Sequence, residues 1–213
     1  MRIDLNCDMG ESYGKAITGN DAAIIPFVSS VNLACGFHGG DPVTIHQTVR
    51  LAEKHQAAIG AHPSYPDLQG FGRRDMAMDP QEVYDMVLYQ LGALAAFTCA
   101  GGLSLHHIKP HGALYNKAAT DVETACAIVH AIYYFNTSLI LYRPPDSELM
   151  NSALQVGIPF CREAFADRTY TADGRLTPRS GKNALISDVE QAVKQAIDIV
   201  FNKAVKSTDG NTV

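Results

Sequence analysis

The sequence predicts an α/β barrel of the TIM type, and three observations carry that prediction. Short β-like runs alternate with helix-like runs through most of the 213 residues, the pattern of βα units around a mainly parallel sheet. The helical runs open on recognisable capping signals. Polar residues recur at strand ends all along the chain, whereas an open doubly wound sheet would concentrate its site at one switch point.

The strand runs are Arg2 to Cys7, Ser30 to Cys35, Ala57 to Ala61, Leu103 to Lys109, Ser138 to Tyr142 and Ile158 to Phe165. Between them, Asp41-Pro42 and Asp79-Pro80 each place a capping side chain before a proline at the first helical position, where the missing N–H does no harm. Glu82 strengthens the second start. Thr120 to Glu123 and Ser187 to Glu190 read S/T-x-x-E, which predicts two further starts capped by the hydroxyl residue. In the last helix Val189, Ala192, Val193, Ala196, Ile197, Val200 and Phe201 fall on one face, expected to pack into the core, while Lys194 and Asp198 meet water. Asp173-Gly174 reads as a turn in a polar loop.

Composition shows no linker, so residues 1–213 are expected to form one domain. A net charge of -5 without a Lys/Arg run excludes a nucleic-acid surface, which needs clustered positive charge. A small neutral or anionic metabolite fits better. Met1 leads directly into a polar strand rather than an apolar signal segment, so a cytoplasmic location is expected. The longest apolar stretch, Val87 to Thr98, is broken by Tyr89, Gln90 and Gly92 and falls short of the roughly 20 residues that cross a bilayer, so no membrane span is expected. Cys7, Cys35, Cys99, Cys126 and Cys161 are widely spaced, contain no C-x-x-C pair, and are read as reduced, buried hydrophobes.

Strand side chains alternate faces, so Asp4, Asn6 and Asp8 share one side of the first strand. In a barrel they point inward, where they require hydrogen-bonding or cationic partners. The same parity groups Asn32 with His38, His107 with Lys109 and His111, and Glu163 with Asp167. Four glycine-containing stretches lie at strand ends: Asn6 to Ser12 (NCDMGES), Cys35 to Asp41 (CGFHGGD), Gly60 to Pro63 (GAHP) and Lys109 to Asn116 (KPHGALYN). Each alone is weak evidence. Together they predict a shared site. Gly70 to Arg74 (GFGRR) either holds a carboxylate or phosphate through its two cations or forms an exposed turn paired with Asp75 or Asp67.

Taken in order, SVNLACGFHGGDP, AIGAHPSYPDLQGFGRR, VYDMVLYQLGAL, HIKPHGALYN and EAFADRTYTADGRL resemble the LamB/YcsF family, whose members act as one of the subunits of bacterial ATP-dependent 5-oxoprolinase. The resemblance implies a seven-stranded relative of the TIM barrel, of the glycoside hydrolase and deacetylase type. It implies opening of 5-oxo-L-proline to L-glutamate with ATP hydrolysis, alongside partner subunits B and C. No G-x-x-x-x-G-K-[S/T] loop is present, so ATP is expected on the partners.

Under that reading Asp8 or Glu11 is the general base, and His38 or His62 orients the attacking water. Lys109 and His111 stabilise the oxyanion. Glu163 and Asp167 hold the substrate amide N–H or protonate the departing nitrogen. Arg73 or Arg74 takes the substrate carboxylate, and Asn6 and Asn32 join the substrate-binding set.

The resemblance also carries two departures. Family chains usually continue through a final strand ending in a His-Gly-Asp turn and one more helix, so the barrel is expected to be incomplete at its C-terminal end. Leu141 to Ser147 (LYRPPDS) stands where relatives carry a small glycine-containing loop. Two rival readings stay open. One is a metal-dependent deacetylase or amidase with Asp8, His38, His62 and His111 around a divalent ion. The other is a non-catalytic subunit that binds a metabolite.

Overall fold

The computed structural model describes residues 3–179 and 181–213. Arg2, the first residue of the first expected strand, lies outside them. The described residues divide into two compact units, a larger one running to Arg162 and a smaller one, Glu163–Val213.

In the larger unit the order is β1 (Asn6–Met9), α1 (Asp21–Ile24), β2 (Ser30–Ala34), α2 (Pro42–His55), β3 (Ala58–His62), α3 (Pro80–Ala100), β4 (His107–Ile108), α4 (Gly112–Ala118), α5 (Val122–Phe135), β5 (Ile140–Arg143), α6 (Glu148–Val156) and β6 (Phe160–Arg162). The six strands form one sheet in sequence order, every neighbouring pair parallel. That is the barrel-type α/β architecture the alternation predicts. The sheet curls, and the Tyr142 hydroxyl on β5 donates to Asp4 Oδ2, just before β1, at 2.8 Å.

The strands are shorter than their apolar runs. β1 begins at Asn6 rather than near Arg2, and β4 keeps only His107 and Ile108 of Leu103 to Lys109. Where β-propensity extends beyond the paired register, the ladder bonds decide the element's length.

Helices pack on the outer face against Val31, Leu33, Ile59, Ala61, Ile108 and Leu141, all buried. α3 has the length and composition to cross a membrane. Here it is a core helix: Val83, Val87, Leu91 and Leu94 are buried along one stripe, at the i, i+4 and i, i+3 spacing that lines a face.

Two start signals hold and two shift. Asp41 caps α2 through Val43 and Thr44 N–H, and Asp79 and Glu82 form the reciprocal box of α3. α5 is capped by Asp121, not Thr120, and the helix after Ser187 is capped by Asp188. In both a carboxylate one residue on accepts the free N–H groups, and Asp caps at least as well as Thr or Ser.

The smaller unit holds α7 (Val189–Asn202) and a set of isolated bridges, including Tyr170 to Leu176 around the Asp173-Gly174 turn. Buried Arg168 ties it together, donating to the carbonyls of Ala184 and Thr177. The apolar stripe of α7 departs from expectation: none of its residues is buried, and Val189, Val193, Ile197 and Phe201 are exposed. Periodicity marks an amphipathic face, but it does not supply the partner that covers it.

Cys35 is buried, Cys7 and Cys126 are half-buried, and Cys99 and Cys161 are exposed, so the reading of all five as buried is corrected. None is in a disulfide. Cys99 sits in the last turn of α3, where a small apolar side chain need not face the core.

Candidate active site

The interior of the sheet is polar, and its register explains how. Asp8, Asn32, Gly60 and His107 are successive Cα partners across β1 to β4, so they form one row. A Cβ on Gly60 would lie 2.1 Å from His107 Nε2. Only glycine lets the imidazole cross β3 and reach Asn32 on β2.

His107 Nε2 then donates to Asn32 Oδ1 at 2.7 Å, and Asn32 Nδ2 donates to Asn6 Oδ1 at 2.7 Å and Asp8 Oδ1 at 2.9 Å. Burial pushes the His107 imidazole down to about 3, consistent with a neutral ring. Tyr142 stacks on that ring with centroids 4.2 Å apart. The inward acids and amides of the first strand are therefore partnered, as their cost in a barrel interior demands.

Asp8 stands at the upper end of this column with its side chain 35 % exposed. Its carboxylate accepts from Lys109 Nζ at 3.2 Å, and His62 Nε2 lies 3.4 Å from the other oxygen. Burial raises the Asp8 carboxyl, but His62 and Lys109 outweigh it and hold it well below the usual carboxylate range. It is a fixed anion, poorly matched to proton abstraction near neutral pH.

Glu11 behaves differently. Burial pushes its carboxyl up, with the Asp8 charge adding to the effect and His62 opposing it. The turn that carries Glu11 lies so close to the CGFHGGD loop that a Cβ on Gly39 would come 2.5 Å from the Glu11 carbonyl oxygen.

Above Glu11, three imidazoles converge from the ends of different strands. His38 and His111 stack in parallel, 3.9 Å between centroids and 3° between planes, and His62 stands edge-on to both. Burial lowers the pKa of His38 and His111, and the neighbouring His62 lowers both further. Ring nitrogens of the three histidines and a Glu11 oxygen all lie within 4.8 Å of one another. This set has the chemistry to hold a transition-metal ion.

Outer contacts fix each ring. His38 Nδ1 meets Ser64 Oγ at 2.9 Å, His62 Nδ1 meets the Lys109 carbonyl at 2.6 Å, and His111 Nε2 meets the Phe71 carbonyl at 2.9 Å. Phe71 occupies the left-handed region at φ 56°, a conformation costing of order 1 to 3 kcal/mol that clusters at functional sites. Ser64 is itself locked, because Gln90 of α3 accepts from its N–H and donates to its carbonyl, both at 2.9 Å.

Of the residues singled out in the sequence, Asp8, Glu11, His38, His62, Lys109 and His111 therefore come together. Asn6 and Asn32 lie beneath them, and Asn32 is fully buried with its amide donors and its oxygen engaged. The GFGRR loop divides. Arg73 sits over the Phe71 ring at 4.8 Å and acts electrostatically on Glu11 and His38. Arg74 pairs instead with Asp67, the turn alternative.

Glu163 and Asp167 belong to the smaller unit, where the Asp167 carbonyl accepts from Ile186 N–H. Arg143 of the LYRPPDS loop is buried, donates to the Pro144 carbonyl and lies 4.6 Å over the Phe160 ring. Sequence reasoning missed Ser64, Gln90 and the Phe71 carbonyl. Ser64 follows GAHP by one residue, so extending that motif was the available signal; Gln90 showed only as a polar break in an apolar helix.

The chain is similar to known proteins along nearly its whole length. The chain is 54% identical over 211 residues to a protein from Bordetella pertussis that is named as a 5-oxoprolinase subunit, covering 99% of this chain and 84% of that one. A protein of the same name from Bacillus cereus is 55% identical over 212 residues, with the same coverage. Among solved structures, a lactam utilization protein from Thermus thermophilus superposes with a TM-score of 0.95 at 51% identity, covering 100% of this chain and 86% of that one. The LamB/YcsF family model matches residues 3–213, and the chain belongs to that family.

Proposed function

We propose that this chain is the ring-opening subunit of a 5-oxoprolinase, converting 5-oxo-L-proline to L-glutamate with hydrolysis of ATP to ADP and phosphate. The observation that carries the reading is the convergence of Glu11, His38, His62 and His111 beside the Asp8–Lys109 pair, in a chain so similar to proteins named as 5-oxoprolinase subunits.

The chemistry explains the need for such a site. Amide resonance stabilises the lactam carbonyl, and glutamate can re-close. Phosphorylation of the lactam oxygen by ATP makes the carbon electrophilic; one water adds, the ring C–N bond breaks as the nitrogen takes a proton, and a second water hydrolyses the resulting acyl phosphate to glutamate and phosphate. With no P-loop in this sequence, partner subunits B and C supply the nucleotide site.

The Glu11–imidazole cluster activates the water. Lys109 stabilises charge on the lactam oxygen, while Asp8, fixed by Asn32, orients Lys109 and His62 rather than serving as base. Arg73 takes the substrate carboxylate.

The test combines this chain with candidate B and C subunits and follows glutamate formation from 5-oxoproline. Glutamate should appear only with ATP and only when this chain is present. Replacement of Asp8 by Asn should slow turnover roughly 100-fold or more, the scale of a lost positioned charge. ATP-dependent turnover by B and C alone would overturn the assignment.

A further inference from the structure

The hydrogen bonds around the three imidazoles fix where their protons sit. Ser64 Oγ donates to the Tyr65 carbonyl at 2.9 Å, so its contact with His38 Nδ1 requires the ring to be the donor. Carbonyl oxygens only accept, so His62 donates from Nδ1 to Lys109 and His111 donates from Nε2 to Phe71. In each neutral ring the remaining nitrogen is a bare lone pair. A ring nitrogen of each histidine and an oxygen of Glu11 lie within 4.8 Å of one another.

What they meet there is more electron density. His62 Nε2 and His111 Nδ1 are 2.8 Å apart, and His38 Nε2 is 3.4 Å from Glu11 Oε1. Glu11 Oε1 also lies 3.9 Å from His111 Nδ1. Both Glu11 Oε1 and His38 Nε2 are buried without a hydrogen-bond partner, and the His38 side chain is fully buried. Buried acceptors turned on one another are costly unless something positive lies between them.

A proton shared between His62 and His111 relieves one of these contacts only. It leaves His38 Nε2 facing Glu11 Oε1. Protonating His38 or His111 as well would put a second positive charge among three rings packed within 5.5 Å of one another.

We infer that Glu11, His38, His62 and His111 form a binding site for a single divalent transition-metal ion, best matched by zinc. Three imidazoles and one carboxylate are a zinc-type donor set, and each imidazole already gives its outer N–H to a fixed acceptor, the arrangement that orients ligating histidines. Tetrahedral bonds of about 2.0–2.1 Å place donor atoms roughly 3.3 Å apart. The separations of 2.8, 3.4 and 3.9 Å bracket that value. Asp8, 3.4 Å from His62 Nε2, stands outside the set.

Only a use of the ion in ring opening rests on the proposed function; binding itself does not. The test is therefore made on the isolated full chain. After chelator treatment and dialysis, zinc is titrated in by calorimetry at neutral pH, with bound metal quantified after gel filtration. One equivalent should bind.

His38→Ala should abolish tight binding. Ser64→Ala, which frees the His38 ring but keeps every ligand, should weaken it roughly 10–100-fold. Thermal unfolding of each variant checks the fold, and Ser64→Ala carries the test if His38→Ala does not fold. Nitrogen NMR of the metal-free chain should show His38 and His62 protonated on Nδ1 and His111 on Nε2. Failure to bind zinc, manganese, cobalt or nickel stoichiometrically would overturn the inference, as would binding that Ser64→Ala and His38→Ala both leave unchanged. Either result leaves the reconstituted ring-opening assay free to succeed or fail on its own.

Discussion

Replacing Gly60 by Ala tests the polar interior with one methyl group. The added Cβ would lie 2.1 Å from His107 Nε2, on which the 2.7 Å bond to Asn32 depends. The ring has little room to retreat, since Tyr142 stacks on it at 4.2 Å. Overpacking costs about 1–3 kcal/mol, and stranding the buried Asn32 oxygen about as much again. The sum is roughly 2–6 kcal/mol, which at ~2–4 °C per kcal/mol for a chain of this size lowers the unfolding midpoint by about 10 °C. Circular dichroism on heating measures this. Combining the change with His107→Ala should cost no more than His107→Ala alone, because the clash then has no second party. An unchanged midpoint in Gly60→Ala, or strictly additive losses, would refute the crossing of His107 over β3.

Three further outcomes are expected. Asp41 caps α2 and accepts from Gly14 N–H, contacts that hold its carboxyl at about 2 against an ordinary 3.8; a pKa lower in the folded state stabilises above the ordinary value, so the stability gap between wild type and Asp41→Asn should be full above pH 4 and close as pH falls toward 2. Gln90→Leu leaves both backbone groups of buried Ser64 unpaired and should cost roughly 2–5 kcal/mol in chemical denaturation; it should also reduce ring-opening turnover, since Ser64 fixes His38. Exposed Cys99 should be alkylated in the native protein within minutes, while Cys35, buried and with its thiol pushed up to about 12, should react only on unfolding, as mass spectrometry of tryptic peptides will show.

The barrel architecture was legible because alternation and capping are local. Asp41, Asp79 and Glu82 act within one turn of the helices they start, so sequence suffices to place them. The shift from Thr120 to Asp121 shows where such reading ends: two good caps sat side by side, and the chain's approach to the helix chose between them. Most of the cluster was equally legible, since Asp8, Glu11, His38, His62, Lys109 and His111 all fall at or just beyond strand ends.

What could not be read was pairing across the fold. The sequence offered both Asp67 and Asp75 to the GFGRR turn without choosing between them, and nothing near Phe71 says that its carbonyl holds His111. The exposed stripe of α7 has the same cause. A hydrophobic period identifies a face, whereas burial requires an opposing surface that sequence does not specify.

The chain of contacts from Asp4 through Tyr142, His107 and Asn32 to Asp8 bears on how this scaffold can be rebuilt. It draws on β1, β2, β4 and β5 and depends on a missing side chain in β3. Shuffling single βα units between homologues, a usual route to new barrel enzymes, would mismatch this axis even when every joint is well formed. The peripheral helices can be exchanged piece by piece, but the strands must be inherited as one block.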